Sequence, residues 1–595
     1  MKHQEPQEGL TFSLQILATT DLHMRLLPFD YLRDVPSHSG DLATLATLIE
    51  ALRADHPNTL LVDNGDFLQG TPMADVAAEN AQTLHPAISA MNLAGYDAAG
   101  VGNHELDYGL SILSAAMSQA NFPFLSANLR LTDLAHGGLP NLRQEIVLER
   151  RIQGSEGQQV PLRVGILGLT PPGAGTAEIV IDDMVTAAKT ALGRLRKASA
   201  DIVLALCHSG ISATGTSGQD HLLRIAAIEG IDAVIGGHTH QPFPGPQTVP
   251  LPEIDATTGH IFGKPVVAPG AFGSQLGRIV LGLRQEHGGW RIETSEVDLL
   301  SPKASETPAH PAIAKALDIA HRATRHICDQ VVGTSLAPLQ SLTPVLGPDP
   351  CLALIARAQA RSVSARLVGS PWAELPLLSA VAPRQSLIAF PAGEIRRRQI
   401  YELAPFPDHC DAVIATGAQL RQWLTRSASA FLPVRSGARL QPLTDPAKPP
   451  YTFDMLYGLT YGIDLSPGRD RITDLCHRGI EVTDDDNFIV ALSSHRLGDG
   501  GGDLLAGCPV VCKNGDLLST AIQHYLRHGP ITAEDPPVWR FVPQPNTSVW
   551  IDADKAIMPY LAKDSSLRPI GQARNGLQRF EVDLSERLRC APAAN

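Results

Sequence analysis

The chain has 595 residues, of which 44% are apolar and 18% charged, so a disordered chain and a coiled coil are both excluded as the main state. It has 48 Lys+Arg against 61 Asp+Glu, and this net charge of −13 argues against a general nucleic-acid binder. No apolar run reaches the roughly 18 residues that a membrane-spanning helix needs.

Short apolar runs in the first half of the chain predict buried strands. They are Leu14–Ala18, Thr59–Val62, Ala98–Val101, Val164–Leu169, Ile202–Leu206 and Ala233–Ile235. The stretch Asp41–Arg53 is amphipathic at the helical period and predicts a helix, with Ser39 as its N-cap. Strands that alternate with helices favour an α/β fold in which helices cover the sheets.

A change of composition marks the middle of the chain. Ser301–Pro311 is rich in Pro, Ser and Ala and is typical of a linker. Helical patterns follow at Ala312–Val331 and Cys351–Leu367, and then short strands and turns. We therefore expect two domains, with the boundary between about 300 and 335.

The cysteines and the N-terminus bear on the compartment. Eight cysteines in 595 residues do not form a disulfide framework, and all eight are predicted to be free thiols. The N-terminal residues lack the apolar stretch and cleavage site of a secretory signal. These features predict a cytoplasmic protein.

Polar side chains follow five of the six apolar runs directly. They are Asp21 and His23, then Asp66, then Asn103 and His104, then His208, and then His238 and His240. Groups beyond the carboxyl ends of strands can converge, and imidazole with carboxylate suits Zn, Mn, Fe, Co or Ni. Asp-x-His and His-x-His place alternate side chains on one face of an extended segment, so we expect one metal to take two ligands from such a segment.

These motifs resemble a known family. Thr20–His23, Gly65-Asp66, Gly102–Asp107, His208 and Gly237–His240 resemble the calcineurin-like metallophosphoesterases, more narrowly the 5′-nucleotidase and 2′,3′-cyclic-nucleotide phosphodiesterase group. Phe29–Tyr31, Gly40–Ala43, Phe453-Asp454 and Gly458–Asp464 resemble the cyclic-phosphodiesterase/3′-nucleotidase branch. The resemblance implies a metallophosphatase sandwich of two sheets flanked by helices in residues 1–305, a linker and hinge helix in 306–335, and an α/β substrate domain in 336–595.

The resemblance also implies a role for each matching residue. Two divalent transition-metal ions are expected, with Mn, Zn, Co, Fe and Ni all left open. The first would be held by Asp21, His23 and His240, the second by Asn103, His208 and His238, and Asp66 would bridge them. A water activated by the metals would be the nucleophile, so no serine or cysteine is needed. His104 would stabilise the transition state and protonate the leaving oxygen, and Asp107 would orient its imidazole.

The implied substrate domain contributes the contacts to a nucleotide. Phe453 and His495 would stack on the base, Arg384 and Arg496 would meet phosphate or a base edge, and Asn103 would also contact the substrate. His495 stands where this branch usually has tyrosine, and Ser494 and Asp408 stand where we expected asparagines.

The implied function is hydrolysis of nucleotide phosphoesters, with 2′,3′-cyclic nucleotides and 3′-nucleotides first. The alternative is a 5′-nucleotidase or a hydrolase of nucleotide sugars or of other phosphate or sulfate esters. A non-catalytic interaction protein is disfavoured, because the ligands and the His104–Asp107 pair are all present. The expected partner is a small nucleotide and neither a nucleic-acid polymer nor a membrane. The oligomeric state is left open, and so is a periplasmic location, since relatives of this kind are commonly exported.

Overall fold

The computed structural model describes residues 11–79, 83–132, 138–176, 178–211, 221–246, 250–286, 289–303, 307–341, 343–347, 349–383, 388–446, 448–498, 502–532, 538–561, 567–573 and 576–585. The chain divides into two compact units, Met1–Cys328 and Asp329–Asn595.

The first unit contains two large mixed sheets. One has seven strands, which in spatial order are Gly289–Leu300, Leu276–Glu286, Thr11–Thr19, Thr59–Asp63, Ala98–Gly100, Phe124–Leu125 and Leu142–Arg143. The other has eight: Ile254–Asp255, His260–Ile261, Lys264–Pro269, Ala233–Ile235, Ile202–Cys207, Gln159–Leu169 and Glu145–Gln153, with Pro242–Phe243 paired to Lys264–Pro269. Two small antiparallel pairs also belong to this unit, Phe29–Asp30 with Val35–Pro36 and Leu129–Leu131 with Ile179–Ile181.

The two large sheets pack face to face. In the strand Ile202–Cys207 the residues Ile202, Leu204 and Leu206 join one core cluster with residues of the seven-stranded sheet, such as Ile16. The alternate residues of that strand face a second cluster under the helix Met184–Lys197. Side chains of a strand alternate between its faces, so a run that is apolar throughout needs cover on both sides. For this reason the buried strands could be recognised in the sequence as apolar runs.

Helices flank the sandwich. They are Leu42–Asp55, Pro72–Glu79, Pro86–Ala94, Gly109–Gln119, Met184–Lys197, Leu222–Ala226 and Pro311–Cys328. Asp41, rather than the predicted Ser39, is the N-cap of the first, because its Oδ1 accepts from the Thr44 N–H at 2.8 Å. The Ser39 hydroxyl lies 2.9 Å from that of Ser37 instead.

The helix Pro311–Cys328 belongs to the first unit. The Tyr31 hydroxyl lies 2.9 Å from Nδ1 of His321, and Arg325 Nε donates to Asp34 at 2.9 Å. These contacts fasten the helix to the Phe29–Pro36 segment. Its role as a hinge stays a prediction.

The second unit is also built from sheets and helices. Its largest sheet has the order Met455–Tyr457, Leu377–Val381, Asn487–Ser493, Cys410–Thr416 and Val510–Cys512. Two four-stranded sheets have the orders Gln441–Pro442, Ser548–Ala553, Gln578–Asp583, Leu567–Gln572, and Ile480–Glu481, Ile472–His477, Leu459–Ile463, Trp539–Phe541. Two strand pairs join Val331–Ser335 to Gly393–Arg396 and Leu339–Ser341 to Ile388–Phe390. The helices are Pro350–Leu367, Arg397–Leu403, Gly417–Ala428, Ser494–Leu497 and Leu518–Leu526.

The predicted α/β architecture is confirmed, with a two-sheet sandwich in the first unit and a sheet-and-helix fold in the second. Seven cysteines are free thiols as predicted, and the eighth, Cys590, lies outside the described residues. Within the described ranges, none of the helices combines the length and the apolar character that crossing a bilayer requires.

Candidate metal centre

The strand ends that the sequence singled out converge in the first unit. The ligand candidates follow three adjacent strands of one sheet, Thr11–Thr19, Thr59–Asp63 and Ala98–Gly100, and two adjacent strands of the other, Ile202–Cys207 and Ala233–Ile235. Six of them form two groups of potential metal ligands, and within each group the ligand atoms lie within 4.8 Å of one another.

The first group consists of Asp21, His23 and His240. The two Nε2 atoms of the histidines lie only 3.0 Å apart, and Nε2 of His240 lies 3.4 Å from Oδ1 of Asp21. His23 is also fixed from its other side, since its Nδ1 lies 3.1 Å from the carbonyl oxygen of Gln69. This bond fixes the tautomer and directs Nε2 into the group.

The second group consists of Asp66, His208 and His238. Nε2 of His208 lies 2.9 Å from Oδ2 of Asp66 and 3.8 Å from Oδ1 of Asp21, so the two groups adjoin. Oδ1 of Asn103 is buried and has no hydrogen-bond partner, as a carbonyl oxygen reserved for a cation would be. Asn103 thus suits the ligand role predicted for it.

The backbone of these residues is unusual. Five ligand candidates have positive φ: Asp21 (50°), His23 (46°), Asp66 (61°), His238 (71°) and His240 (58°). The expectation that Asp21/His23 and His238/His240 lie on extended segments is therefore wrong. Left-handed residues other than glycine are uncommon and concentrate at functional sites. The turns separate His238 from His240, which fall in different groups.

A glycine makes room for the carboxylate of Asp66. A Cβ on Gly102 would lie 2.2 Å from Oδ1 of Asp66, which leaves no space for any other residue there. The same Oδ1 accepts from the backbone N–H of His104 at 2.8 Å. The Gly102–His104 turn therefore fixes this carboxylate.

The electrostatics of the site suit a dication. Burial lowers the pKa of His23 and of His238 to about 4, so both imidazoles are neutral and keep a lone pair. Burial also opposes charge on His208, but Asp66 and Asp21 outweigh it and raise its pKa to about 10. A metal that binds His208 must replace that proton. The donor set of carboxylate, imidazole and amide oxygen fits divalent transition metals.

His104 stands beside the ligands and is paired with Asp107. Its Nδ1 lies 2.7 Å from Oδ2 of Asp107, and its ring centroid lies 5.3 Å from that of His23. Burial disfavours the charged imidazole, but the carboxylates of Asp66 and Asp107 outweigh it and raise the pKa of His104 to about 9. In the metal-free chain His104 is therefore protonated at neutral pH, which is the form that a general acid needs.

Glu105 supports the site, although no role was predicted for it. Its Oε2 accepts from the backbone N–H groups of Asp66 and Gly102, both at 2.7 Å, and its Oε1 from those of Phe67 (2.8 Å) and Leu68 (3.2 Å). One buried carboxylate thus ties the Asp66 turn to the Gly102 turn. The sequence signal for this role is that an acidic residue stands between His104 and Asp107, two residues of the predicted site.

In the second unit, the structure corrects the prediction for Phe453. This side chain is 1% exposed and packs edge-to-face on Phe431 and Trp539, so it offers no face to a base. Tyr451, two residues earlier, is 46% exposed. Tyr451 is therefore the ring of this segment that is open to a ligand.

The remaining predicted substrate residues differ in their surroundings. His495 is exposed, and its backbone N–H donates to Oδ1 of Asp408 at 3.1 Å. Arg496 pairs with the buried Asp454 at 2.8 Å and donates to the carbonyl of Tyr451 at 2.8 Å. It therefore ties the His495 helix to the Tyr451 segment. Arg384 lies outside the described residues.

Known proteins resemble both parts of the chain. Residues 14–242 match the family model of the calcineurin-like phosphoesterases, and residues 298–507 match that of the 5′-nucleotidase C-terminal domain. A 2′,3′-cyclic-nucleotide 2′-phosphodiesterase/3′-nucleotidase of Yersinia enterocolitica is 29% identical over 580 residues, which cover 90% of this chain and 88% of that protein.

Two solved structures are also similar. That of the calcineurin-like phosphoesterase YfkN from Bacillus subtilis is 32% identical, with a TM-score of 0.50, over 53% of this chain and 98% of that one. That of a putative 5′-nucleotidase from Staphylococcus aureus is 18% identical, with a TM-score of 0.69, over 87% of this chain and 99% of that one, and shows the shared fold. The two adjoining ligand groups and the paired histidine agree with these matches. The chain belongs to the calcineurin-like phosphoesterases with a 5′-nucleotidase C-terminal domain and is a metal-dependent phosphoester hydrolase.

Proposed function

We propose that this chain hydrolyses 2′,3′-cyclic nucleotides and 3′-nucleotides with the help of two divalent transition-metal ions. The two reactions fit one another, because opening the bond to the 2′ oxygen leaves a 3′-phosphate that the second reaction removes. The observation that carries the proposal is the convergence of two ligand groups beside His104, in a chain whose Yersinia enterocolitica relative bears the name of both activities.

In this proposal the ions are held by the two groups described above. Asp21, His23 and His240 hold the first, and Asn103, His208 and His238 hold the second. Asp66 would serve both ions, since it belongs to the second group and its partner His208 also lies 3.8 Å from Asp21 of the first. Paired divalent ions polarise a phosphoryl group and lower the pKa of a bound water to about 7.

The chain itself supplies the proton. The oxygen that leaves from a ribose is a strong base, so its departure needs protonation. His104 is the group placed to supply that proton, since its pKa is about 9 in the metal-free chain and the Asp107 carboxylate favours its protonated form. Asp107 holds Nδ1, so Nε2 is the nitrogen from which the proton passes to the leaving oxygen.

Nucleotide selection falls to the second unit. Tyr451 and His495 are its exposed ring candidates, and Arg496 links the segments that carry them. Stacking of a base on an aromatic ring is worth about 1–3 kcal/mol. Such contacts tolerate any base, so we expect specificity for nucleotides rather than for one nucleobase.

The test is a substrate panel with metal-reconstituted full-length protein. The panel includes 2′,3′-cyclic AMP, 3′-AMP, 5′-AMP, a nucleotide sugar and bis-p-nitrophenyl phosphate. We expect the highest kcat/KM on the first two. Preference for 5′-AMP or the nucleotide sugar would contradict the proposal and support the alternative of a 5′-nucleotidase or nucleotide-sugar hydrolase.

A further inference from the structure

One aromatic residue outside the predicted site touches every member of the first ligand group. The ring centroid of Phe272 lies 5.5 Å from that of His23 and 5.2 Å from that of His240. Its backbone N–H donates to the carbonyl oxygen of Asp21 at 2.8 Å. Arg25 approaches the same ring, with its guanidinium carbon 5.8 Å from the centroid. Phe272 therefore forms a wall of the first group.

The conformation of Phe272 is costly. Its φ is 62°, in the left-handed region that bulky side chains avoid, and 41% of the residue is exposed. A glycine would adopt this φ without strain and would leave no apolar ring in solvent. A strained and exposed phenylalanine against ligand rings points to a role in the site.

The Gly40-Asp41 segment, which takes no part in the proposed reaction, packs against the loop that carries Phe272. Gly40 has a φ of 126°, and a Cβ there would lie 2.6 Å from the Ser274 nitrogen and 2.7 Å from the Phe272 carbonyl oxygen. These neighbours are backbone atoms and cannot rotate away. Gly273 approaches from the other side, since its Cβ would lie 3.0 Å from the carbonyl carbon of Asp41. The Gly40-Asp41 turn and the Phe272 loop thus fit together only without side chains between them.

From this geometry we propose that Phe272 is a positioning residue for the first metal site and that Gly40 holds it in place. The imidazoles of His23 and His240 must both direct Nε2 to one point, where these atoms lie 3.0 Å apart. The Phe272 ring restricts the rotation of both. Loss of such outer contacts weakens metal binding by about 10- to 100-fold. The inference rests on the proposed two-metal function and assigns residues that its chemistry does not name.

The test is a metal titration that needs no turnover. Metal-depleted full-length protein is titrated with Mn²⁺, and free Mn²⁺ is followed by electron paramagnetic resonance. His240→Ala and His238→Ala identify which of the two binding steps belongs to which group. For Phe272→Leu we expect the first-group step to weaken about 10- to 100-fold, and the other step to change less than about twofold. Phe272→Tyr should restore the wild-type affinity, and Gly40→Ala should reproduce the defect.

The chain offers a matched control and a diagnostic variant. Phe262 also has a positive φ, 51°, and is 47% exposed, so Phe262→Leu should leave both steps unchanged. Phe272→Gly relieves the backbone strain while it removes the ring. It should weaken the first-group step without lowering the thermal midpoint of the metal-free protein. A packing residue would lower both together.

The outcomes separate this proposal from the proposed function. If the wild-type chain binds fewer than two ions, the two-metal proposal is wrong, and so is the role proposed for Phe272. Two wild-type steps that Phe272→Leu leaves unchanged, or weakens equally, overturn the role of Phe272 alone.

Discussion

Nδ1 of His104 and Oδ2 of Asp107 lie 2.7 Å apart across a single 3₁₀ turn. This turn follows directly on Asn103, so the acid and a ligand candidate are fixed by the same few peptide bonds. The spacing brings the two side chains of the pair together without any contribution from a distant part of the chain.

Replacing Asp107 with asparagine should change the pH profile. The Asp107 carboxylate is one of the groups that raise the pKa of His104 to about 9. The acid form of His104 is present below this pKa and is lost as the pH rises through it. In Asp107→Asn the alkaline limb of kcat on 3′-AMP should therefore move to lower pH. An unmoved alkaline limb would show that the limb does not report His104.

His104→Asn should separate chemistry from metal binding. We expect kcat on 3′-AMP to fall about 10²- to 10⁴-fold, the range for a positioned general acid. The loss should be smaller on p-nitrophenyl phosphate, whose leaving group is a weak base. Elemental analysis should find both metals retained, and loss of one of them would make His104 a ligand.

Asp66→Ala should remove more metal than any other single substitution. Oδ2 of Asp66 lies 2.9 Å from Nε2 of His208, and the same nitrogen lies 3.8 Å from Oδ1 of Asp21 in the first group. The groups are therefore close enough for one carboxylate to serve both ions. Elemental analysis should show both ions lost in Asp66→Ala and one lost in His240→Ala. Asp484→Ala, at a side chain 75% exposed, is the control. Loss of only the second ion in Asp66→Ala would rule out a bridge.

Glu105→Gln should destabilise the first unit. An amide has one oxygen, so at least one of the backbone N–H groups held by Glu105 loses its acceptor, at a cost of about 1–3 kcal/mol. Calorimetry should show a lower thermal midpoint for the metal-free variant. Glu149→Gln, at a side chain 73% exposed, is the matched control and should not shift it. Equal thermal midpoints in the two variants would contradict the role of Glu105 in holding the Asp66 and Gly102 turns together.

Tyr451→Ala and Phe453→Ala should have different effects on substrate turnover and on stability. Loss of one stacking ring should lower kcat/KM on nucleotides about 5- to 150-fold and leave bis-p-nitrophenyl phosphate nearly unchanged. Phe453 is 1% exposed, so its truncation should cost about 3–5 kcal/mol of stability and act on both substrates alike. If Tyr451→Ala leaves nucleotide turnover intact, the base does not contact this ring.

The strands and the ligand candidates could be predicted because they rest on local patterns. A strand buried on both faces is expected to be apolar throughout, and Ile202–Leu206 shows this directly. A polar residue that follows such a run stands out, as Asp21 and His208 do. Both signals are readable from sequence order alone.

The remaining features depend on the folded backbone. Nothing local shows that Asp66 has a φ of 61° or that Glu105 accepts from two separate turns. Tyr451 and Phe453 are aromatic and two residues apart, and only tertiary packing decides which one is buried. The prediction of Ser39 as the N-cap was also wrong. Asp41, two residues later, accepts the hydrogen bond from the Thr44 N–H at the start of the helix.

The division of the chain at Cys328 has a consequence for how such enzymes diversify. Every ligand candidate, the His104–Asp107 pair and Phe272 precede this point, and Tyr451 and His495 follow it. If the second unit selects the nucleotide, as proposed, mutations after residue 328 can alter substrate preference while the hydrolytic groups keep their sequence. Substrate range and phosphoester chemistry would then evolve in separate parts of one gene.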